Sequence, residues 1–568
     1  MRLLTLLLFP LLALPVQATD FETANDAVKN MGVGWNLGNT LDASNGSKMG
    51  LESETYWGQP VTRPELMTMM KEAGFGAIRV PVTWDPHMDA SGNVDAEWMN
   101  RVHEVVDYVI DAGLYCVLNV HHDTGAGSSH WLHASMDTYN TKKARYERLW
   151  QQIADEFKDY DHHLLFESYN EMLDKYDSWC YASFASPNRY NADDARDAYD
   201  AINSYAQSFV DVVRASGGNN AQRNLIVNTY GACDGSGSWS PYLDDPLKEM
   251  KLPSDTVTDH IIFEIHTYPS IVKTDANNNV TGTRPLSDIK TEIEEMLSGI
   301  QTHLVAKGAP VIFGEWGTSN VDAAETDYMA RRDMLLLFVD FFVKQTKQAG
   351  MGTFFWMGLS DGAVRSLPAF NQPDLAEAIV KAYHGDSFVG KYPKESDFNI
   401  EYIVNYNTEW SEAQLFSGSA PLSTYVGVRL EMAEMPEAGS LKIKCYGDAN
   451  GREQYDDLSA SSLNTTINFR TSDLGAKVTR ITLQTFVGPT TARIHRAVLI
   501  RQDGTEEEYK PSVFWGCEVT TATVSDIIQP FVSSDEDDRL PAYTLYGQRI
   551  SIPGQGIYIR GGRKFVVI

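Results

Sequence analysis

Between about residue 25 and residue 385, short apolar runs alternate with longer stretches in which apolar positions return every three or four residues. The runs are Val33–Leu37, Ala77–Val82, Tyr115–Val120, Leu164–Ser168, Asn224–Thr229, Ile261–Ile265, Val311–Gly314 and Thr353–Met357. Each is mostly apolar and bounded by turn residues, the pattern of a strand buried on both faces of a parallel sheet. The stretches Arg63–Ala73, Asp95–Asp111, Lys142–Phe157, Ala195–Ala215, Asp288–Lys307 and Thr326–Ala349 predict amphipathic helices. Eight strand–helix units predict an α/β architecture, a (β/α)8 TIM barrel. An open doubly wound sheet is disfavoured, because no glycine-rich phosphate turn follows the first run.

Beyond residue 385 the periodicity changes. Gly, Pro and Lys mark a linker at 386–396, and from 397 to 524 short segments alternate with period two. Tyr425–Glu431, Leu441–Cys445, Thr465–Phe469, Arg480–Phe486 and His495–Arg501 predict an all-β sandwich domain. Trp410, Phe416, Tyr446, Tyr455 and Trp515 are its candidate sugar-stacking rings, or members of its core. Residues 525–568 read as an acidic linker, Ser533 to Asp538, and a short β tail, either a sorting segment or a last hairpin of the sandwich. At the other end, Arg2 precedes an apolar core from Leu3 to Leu14 and the small-residue pattern Val16-Gln17-Ala18. That is the pattern of a signal peptide spanning residues 1–18, which leaves 19–385 for the barrel and predicts a secreted protein.

Composition narrows the function. A chain of 568 residues is too long for one domain, and a net charge of −29 argues against nucleic acid as a partner. It fits a neutral ligand. No run approaches the ~20 apolar residues of a membrane span. The five cysteines form no CxxC pair, so no zinc knuckle or thioredoxin motif is present. They read as buried small hydrophobes, with one disulfide left open by export.

The strand ends carry the chemistry. A barrel gathers its site from the carboxyl ends of several strands. Here those ends hold Asn36, Arg79, His121-His122-Asp123, Asn170-Glu171, His266, Tyr268, Glu315-Trp316 and Trp356. Rings offer platforms for the apolar faces of a pyranose, and the polar groups suit its hydroxyl rim. Two carboxyl groups suit glycoside hydrolysis, one as acid and one as nucleophile or base. His121 and His122 also raise a metal site, but neighbours on a strand point to opposite faces, which argues against one shared ion.

The set Gly34-Trp35-Asn36-Leu37-Gly38-Asn39, Ile78-Arg79-Val80-Pro81, Asn119-Val120-His121-His122, Asn170-Glu171 and Gly314-Glu315-Trp316-Gly317 resembles family 5 of the glycoside hydrolases, the cellulase family, over roughly residues 25–385. The resemblance implies a retaining endo-β-1,4-glucanase without cofactor or metal, with Glu171 as acid/base and Glu315 as nucleophile. It implies a polar shell of Arg79, His121, Asn170, His266 and Tyr268, with Trp356 as a stacking platform. Asn36, His122 and Trp316 join the shell as further candidates for substrate contact. In such a site Arg79 would hold Glu315 ionised and Tyr268 would donate to it. The expected partner is a β-glucan polysaccharide, bound by a monomer. Xyloglucan, mixed-linkage β-glucan and β-mannan are the alternative substrates. A glycan-binding protein on a silent barrel and a metal-dependent barrel hydrolase are the alternatives of another class. The family often has Pro after the acid/base; here Met172 follows, and the polar stretch Asp174 to Asp200, with Tyr176, Trp179 and Tyr190, is a candidate cleft loop.

Overall fold

The computed structural model describes residues 21–523 apart from 128–129, 180–189, 239, 278, 320–327, 399, 435–439, 450 and 459–462, and beyond 523 the backbone of four short strands. The signal-peptide stretch and the acidic linker therefore lie outside the described residues, as do Cys180, Tyr181 and Phe184 of the candidate cleft loop.

Eight parallel strands close into a barrel: β1 (Val33–Asn36), β2 (Ala77–Val80), β3 (Tyr115–Asn119), β4 (Leu164–Glu167), β5 (Leu225–Asn228), β6 (Ile261–Thr267), β9 (Val311–Trp316) and β10 (Gly352–Phe355), in that order around the ring. A hairpin, β7 (Val272–Thr274) and β8 (Val280–Thr283), is inserted after β6. The helices are α1 (Ala24–Met31), α2 (Pro64–Ala73), α3 (Ala96–Asp111), α4 (Met136–Glu156), α5 (Ala192–Ala215), α6 (Asp245–Glu249), α7 (Leu286–His303), α8 (Tyr328–Gln348) and α9 (Pro373–His384). All eight predicted strands and six predicted helices are present. α5 begins at Ala192, where Asn191 caps it by accepting from the amides of Asp193 and Asp194, so the loop after Glu171 ends before residue 200.

Two apolar layers hold the barrel. Outside, the strands pack on the helices through one continuous core. Inside, Ala77, Tyr115, Val117, Leu165, Ile226, Ile262, Ile312 and Phe354 meet Ala24, Val28 and Met31 of α1, which plugs one end. Above that plug the inward positions change character: Arg79, Asn119, Glu167, Asn228 and Glu264 are all fully buried. The upper barrel is thus filled by charge and amide groups, and this layer carries the site.

The residues expected as a linker pack on the barrel as far as Pro393: Lys391 N–H bonds Glu72 O and Phe370 N–H bonds Pro393 O. The chain divides into its two units between Pro393 and Lys394. The second unit holds two antiparallel sheets. One contains β11 (Ile400–Tyr406), β13 (Tyr425–Glu434), β16 (Asn464–Asn468), β18 (Thr490–Arg501), β19 (Glu506–Tyr509) and β21 (Cys517–Thr523). The other contains β12 (Glu412–Pro421), β14 (Leu441–Tyr446), β15 (Glu453–Asp457), β17 (Lys477–Thr485) and β20 (Ser512–Trp515). Val404, Leu430 and Ile494 of the first meet Leu415, Ile443 and Ile481 of the second in one core, which makes the pair a β-sandwich. Phe416 belongs to that core, not to a sugar platform, because its ring packs edge-on against Tyr509 at 4.9 Å. The tail forms its own antiparallel sheet of β22 (Ala542–Thr544), β23 (Arg549–Ile550), β24 (Gly556–Arg560) and β25 (Arg563–Val567). Cys116, Cys445 and Cys517 are free, buried thiols. Among the described residues no helix is long and apolar enough to cross a membrane.

Candidate active site

Glu171 lies in the turn just after β4. The turn is tied down by Ser168 N–H on Ile226 O and Asn170 N–H on Val120 O, and by the buried Tyr169, whose hydroxyl reaches Ile202 O and Asn228 O. Asn170 and Glu171 therefore project from a fixed base. Glu315 lies within β9, where the pairing slips: Ile265 pairs with Phe313 but His266 with Glu315, leaving Gly314 as the extra residue of a bulge. The bulge brings Glu315 level with His266 and turns it into the barrel.

The two glutamates meet. One oxygen of Glu171, one of Glu315 and one ring nitrogen of His266 all lie within 4.8 Å of one another. His266 Nδ1 is 2.8 Å from Glu171 Oε1 and 3.6 Å from Glu315 Oε2. Tyr268 donates its hydroxyl to Glu315 Oε2 at 2.8 Å, and Arg79 Nη1 donates to Oε1 at 2.8 Å. Burial alone would push the Glu315 carboxyl up, but His266, Arg79 and the Tyr268 hydroxyl together hold it below the ordinary carboxylate range. Arg79 thus does what the sequence reading expected, through its charge and its hydrogen bond, with the charge of His266 beside it. Burial likewise opposes the charged form of His266, yet Glu315, Glu171 and Glu264 raise it to about 10. It is a cation at neutral pH.

Arg79 and Asn36, expected to touch substrate, do not reach the cleft; both are fully buried. Arg79 makes a two-pronged pair with Glu167 at 2.6 and 2.8 Å, and its Nη2 donates to Asn170 Oδ1 at 2.9 Å. Asn36 accepts from Arg79 Nη1 at 3.0 Å and donates to Gly314 O at 2.9 Å. These residues place Glu315 and Asn170 from beneath. Trp316 is the clearest correction. β9 runs two residues further than Val311–Gly314, and the bulge at Gly314 shifts the alternation so that Glu315 faces inward and Trp316 outward. Its ring is fully buried against α8, 4.4 Å from Phe342 and 6.1 Å from Phe338, with Phe355 at 5.1 Å.

His121 and Trp356 lie with parallel rings, 5.9 Å apart. Asn119 Nδ2 donates to His121 Nδ1 at 3.0 Å, which leaves the proton on Nε2, 3.9 Å from Glu315 Oε1. Burial and the neighbouring His122 hold His121 neutral, and burial pushes His122 down to about 4. The expectation that the two histidines face apart fails. β3 stops at Asn119, strand alternation ends with it, and the two rings lie 4.5 Å apart in a group with Asp42. Asp42 is nevertheless engaged by the amides of Asn39 and Thr40 at 3.0 and 2.8 Å, which compete with any ion.

The mouth opens as three cavities. One of about 350 Å³ is lined by Glu171, His266, Tyr268 and the exposed Trp179. One of about 240 Å³ is lined by Trp356, Tyr268 and Gly317. The third, about 420 Å³, is lined by His122, Trp57, Asp85 and Trp131. Trp131 is packed in its loop, its Nε1 donating to Asp123 at 2.6 Å; Trp57, which the sequence reading missed, is the exposed ring there. Also missed were Glu167 and Glu264, each a charge at the end or in the middle of an apolar strand, which in hindsight signals a buried ionic pair.

Residues 41–361 match the family model for cellulase, glycosyl hydrolase family 5. The chain is 31% identical to endoglucanase A of Clostridium longisporum over 384 residues, 65% of this chain and 68% of that one. It is 35% identical to endoglucanase 1 of Ruminococcus albus over 319 residues, 55% of this chain and 70% of that one. Among solved structures it is similar to a broad specificity endoglucanase from an uncultured bacterium, at 57% identity and a TM-score of 0.60, covering 64% of this chain and 96% of the other. It is also similar to a family 5 enzyme of Prevotella bryantii in complex with a xyloglucan tetradecasaccharide, at 39% identity and a TM-score of 0.55, covering 64% and 99%.

Proposed function

Because the chain belongs to family 5 of the glycosyl hydrolases, we propose that it is an endo-acting β-1,4-glucan hydrolase working by double displacement, with Glu315 as nucleophile and Glu171 as acid/base. The observation that carries this reading is the pair of carboxylates whose nearest oxygens are within 4.8 Å. Inverting enzymes need about 6.5–9.5 Å between the groups, retaining ones about 5–5.5 Å. Glu315, held ionised, attacks the anomeric carbon; the glycosidic bond breaks and the proton of Glu171 passes to the departing oxygen. Water then gives its proton to Glu171 and its oxygen to the anomeric carbon, and the Glu315 ester is released. Arg79 occupies the amide oxygen of Asn170, so the amide NH2 is the part left to donate to the sugar 2-hydroxyl. Trp356 offers the ring face. A protein that only bound glycans would have no use for a clamp that keeps Glu315 ionised.

Xyloglucan is the second substrate in this reading. The cavities beside Trp57 and Trp179 leave room for side branches, and the Prevotella relative holds such a ligand. Export fits a polymer substrate, and residues 1–18 have the pattern for it.

For the sandwich the reading is a glycan-binding module, supported by a difference between its two outward faces. On the six-stranded sheet Arg429, Arg496, Glu506 and Glu508 pair with one another. On the five-stranded sheet the exposed rings of Tyr455, Phe514 and Trp515 share a face with Tyr446, Lys444 and Thr482.

New reducing ends from carboxymethylcellulose, xyloglucan, barley β-glucan and glucomannan, with Glu315→Gln as control and EDTA as a second arm, test the catalytic reading. Activity that survives EDTA and falls roughly 10³-fold or more in the variant is expected. Binding without turnover on every polymer would leave the barrel a scaffold.

A further inference from the structure

Beneath the catalytic pair is a carboxyl group that the mechanism above does not use. Glu264 lies on β6 two residues before His266, so both point into the barrel, and no part of it is exposed. Its Oε1 is 3.3 Å from His266 Nε2 and 3.3 Å from Arg79 Nε. The bulge makes room for it: a Cβ at Gly314 would stand 1.4 Å from that same oxygen. Arg79 is already matched by both oxygens of Glu167. His266 has no such surplus, with Nδ1 on Glu171 at 2.8 Å and Nε2 on Glu264. An imidazole held at one nitrogen can swing; one held at both has a fixed plane and a proton on each.

We propose that Glu264 is a positioning residue for the acid/base: by accepting from Nε2–H of His266 it locks the imidazole so that Nδ1–H meets Glu171 and holds that carboxyl in the orientation from which it delivers its proton. Burial, with Glu167 alongside, pushes Glu264 up to about 8, while Arg79 and His266 pull it back down.

The inference rests on the reading of Glu171 as acid/base, and the test separates the two. Glu264→Ala, Glu264→Gln and Glu171→Ala are made in the full chain. For each, kcat/KM is measured on barley β-glucan, whose leaving group needs a proton, and on 2,4-dinitrophenyl β-cellobioside, whose leaving group does not. Glu264→Ala is expected to lose roughly tenfold or more on the glucan, a part of what general acid catalysis supplies, and far less on the activated substrate. Glu264→Gln, which keeps an acceptor oxygen at similar volume, is expected to stay within a few-fold of the parent on both. Equal losses of Glu264→Ala on both substrates, or none on either, would overturn the proposal. So would a Gln variant as deficient as the Ala variant on the glucan alone. Glu171→Ala losing both substrates equally would overturn the acid/base reading beneath it.

Discussion

The hydroxyl of Tyr268 donates to Oε2 of Glu315 over 2.8 Å and leaves Oε1 to Arg79, so the carboxylate has no freedom to rotate. Nearly half of Tyr268 is open to the cleft, at 48% exposure, which makes it the one accessible member of the clamp. Tyr268→Phe keeps the ring and removes the donor. A hydrogen bond to a charged group contributes about 1.5–3 kcal/mol, so kcat/KM on a β-glucan should fall roughly 10- to 100-fold. Because Tyr268 helps hold Glu315 low, the acid limb of the pH–kcat/KM profile should move to higher pH. A variant with the parent's rate and profile would count against this role.

Trp316 and Trp356 separate stability from binding. Trp316→Ala removes a fully buried ring and should cost about 3–5 kcal/mol in urea unfolding of the barrel, with KM little changed in whatever fraction remains folded. Trp356→Ala should leave the unfolding midpoint near the parent's and raise KM several-fold. Calorimetry and initial-rate kinetics on both variants check the pair; the reverse pattern would return Trp316 to the cleft.

His266 predicts a pH-dependent stability. Its proton is held up to about pH 10 in the folded protein and only to about 6.5 when unfolded. A group raised in this way contributes stability that is fully present below the unfolded value and is lost as pH rises through the folded one. The melting temperature should therefore decline between about pH 6.5 and 10, and more steeply in the parent than in His266→Gln. Parallel curves would show that His266 binds its proton no more tightly in the folded state.

On the sandwich, Tyr455→Ala with Trp515→Ala should weaken retention of the full chain in native gels containing soluble β-glucan while leaving turnover of a short aryl cellobioside unchanged. Migration identical to the parent's would remove sugar binding from that face.

The apolar runs betrayed the eight strands because a barrel strand is buried on both sides. Glu171 and Glu315 stood out because each ends such a run. Less legible was anything that depends on where a strand stops. β3 halts at Asn119, so His121 and His122 come together although alternation forbids it; β9 continues to Trp316, so that ring leaves the cleft. Arg79 reads as a cleft residue because it stands on the second strand among the motifs of the family resemblance, whereas three acidic partners, Glu167, Glu264 and Glu315, let it be buried. Three helices, α1, α6 and α9, escaped notice, although Thr23 before α1, Pro246 in the first turn of α6 and Pro373 opening α9 are ordinary start signals.

The missing Cβ of Gly314 couples two positions that are fifty residues apart in sequence. The oxygen of Glu264 fills the space a methyl group would need, so residue 314 can grow only if residue 264 shrinks. Neither can drift alone. A library randomised at both positions should yield paired replacements, a larger residue at 314 with a smaller one at 264. Because the shorter partner can no longer reach His266, such pairs should recover folding before they recover proton transfer.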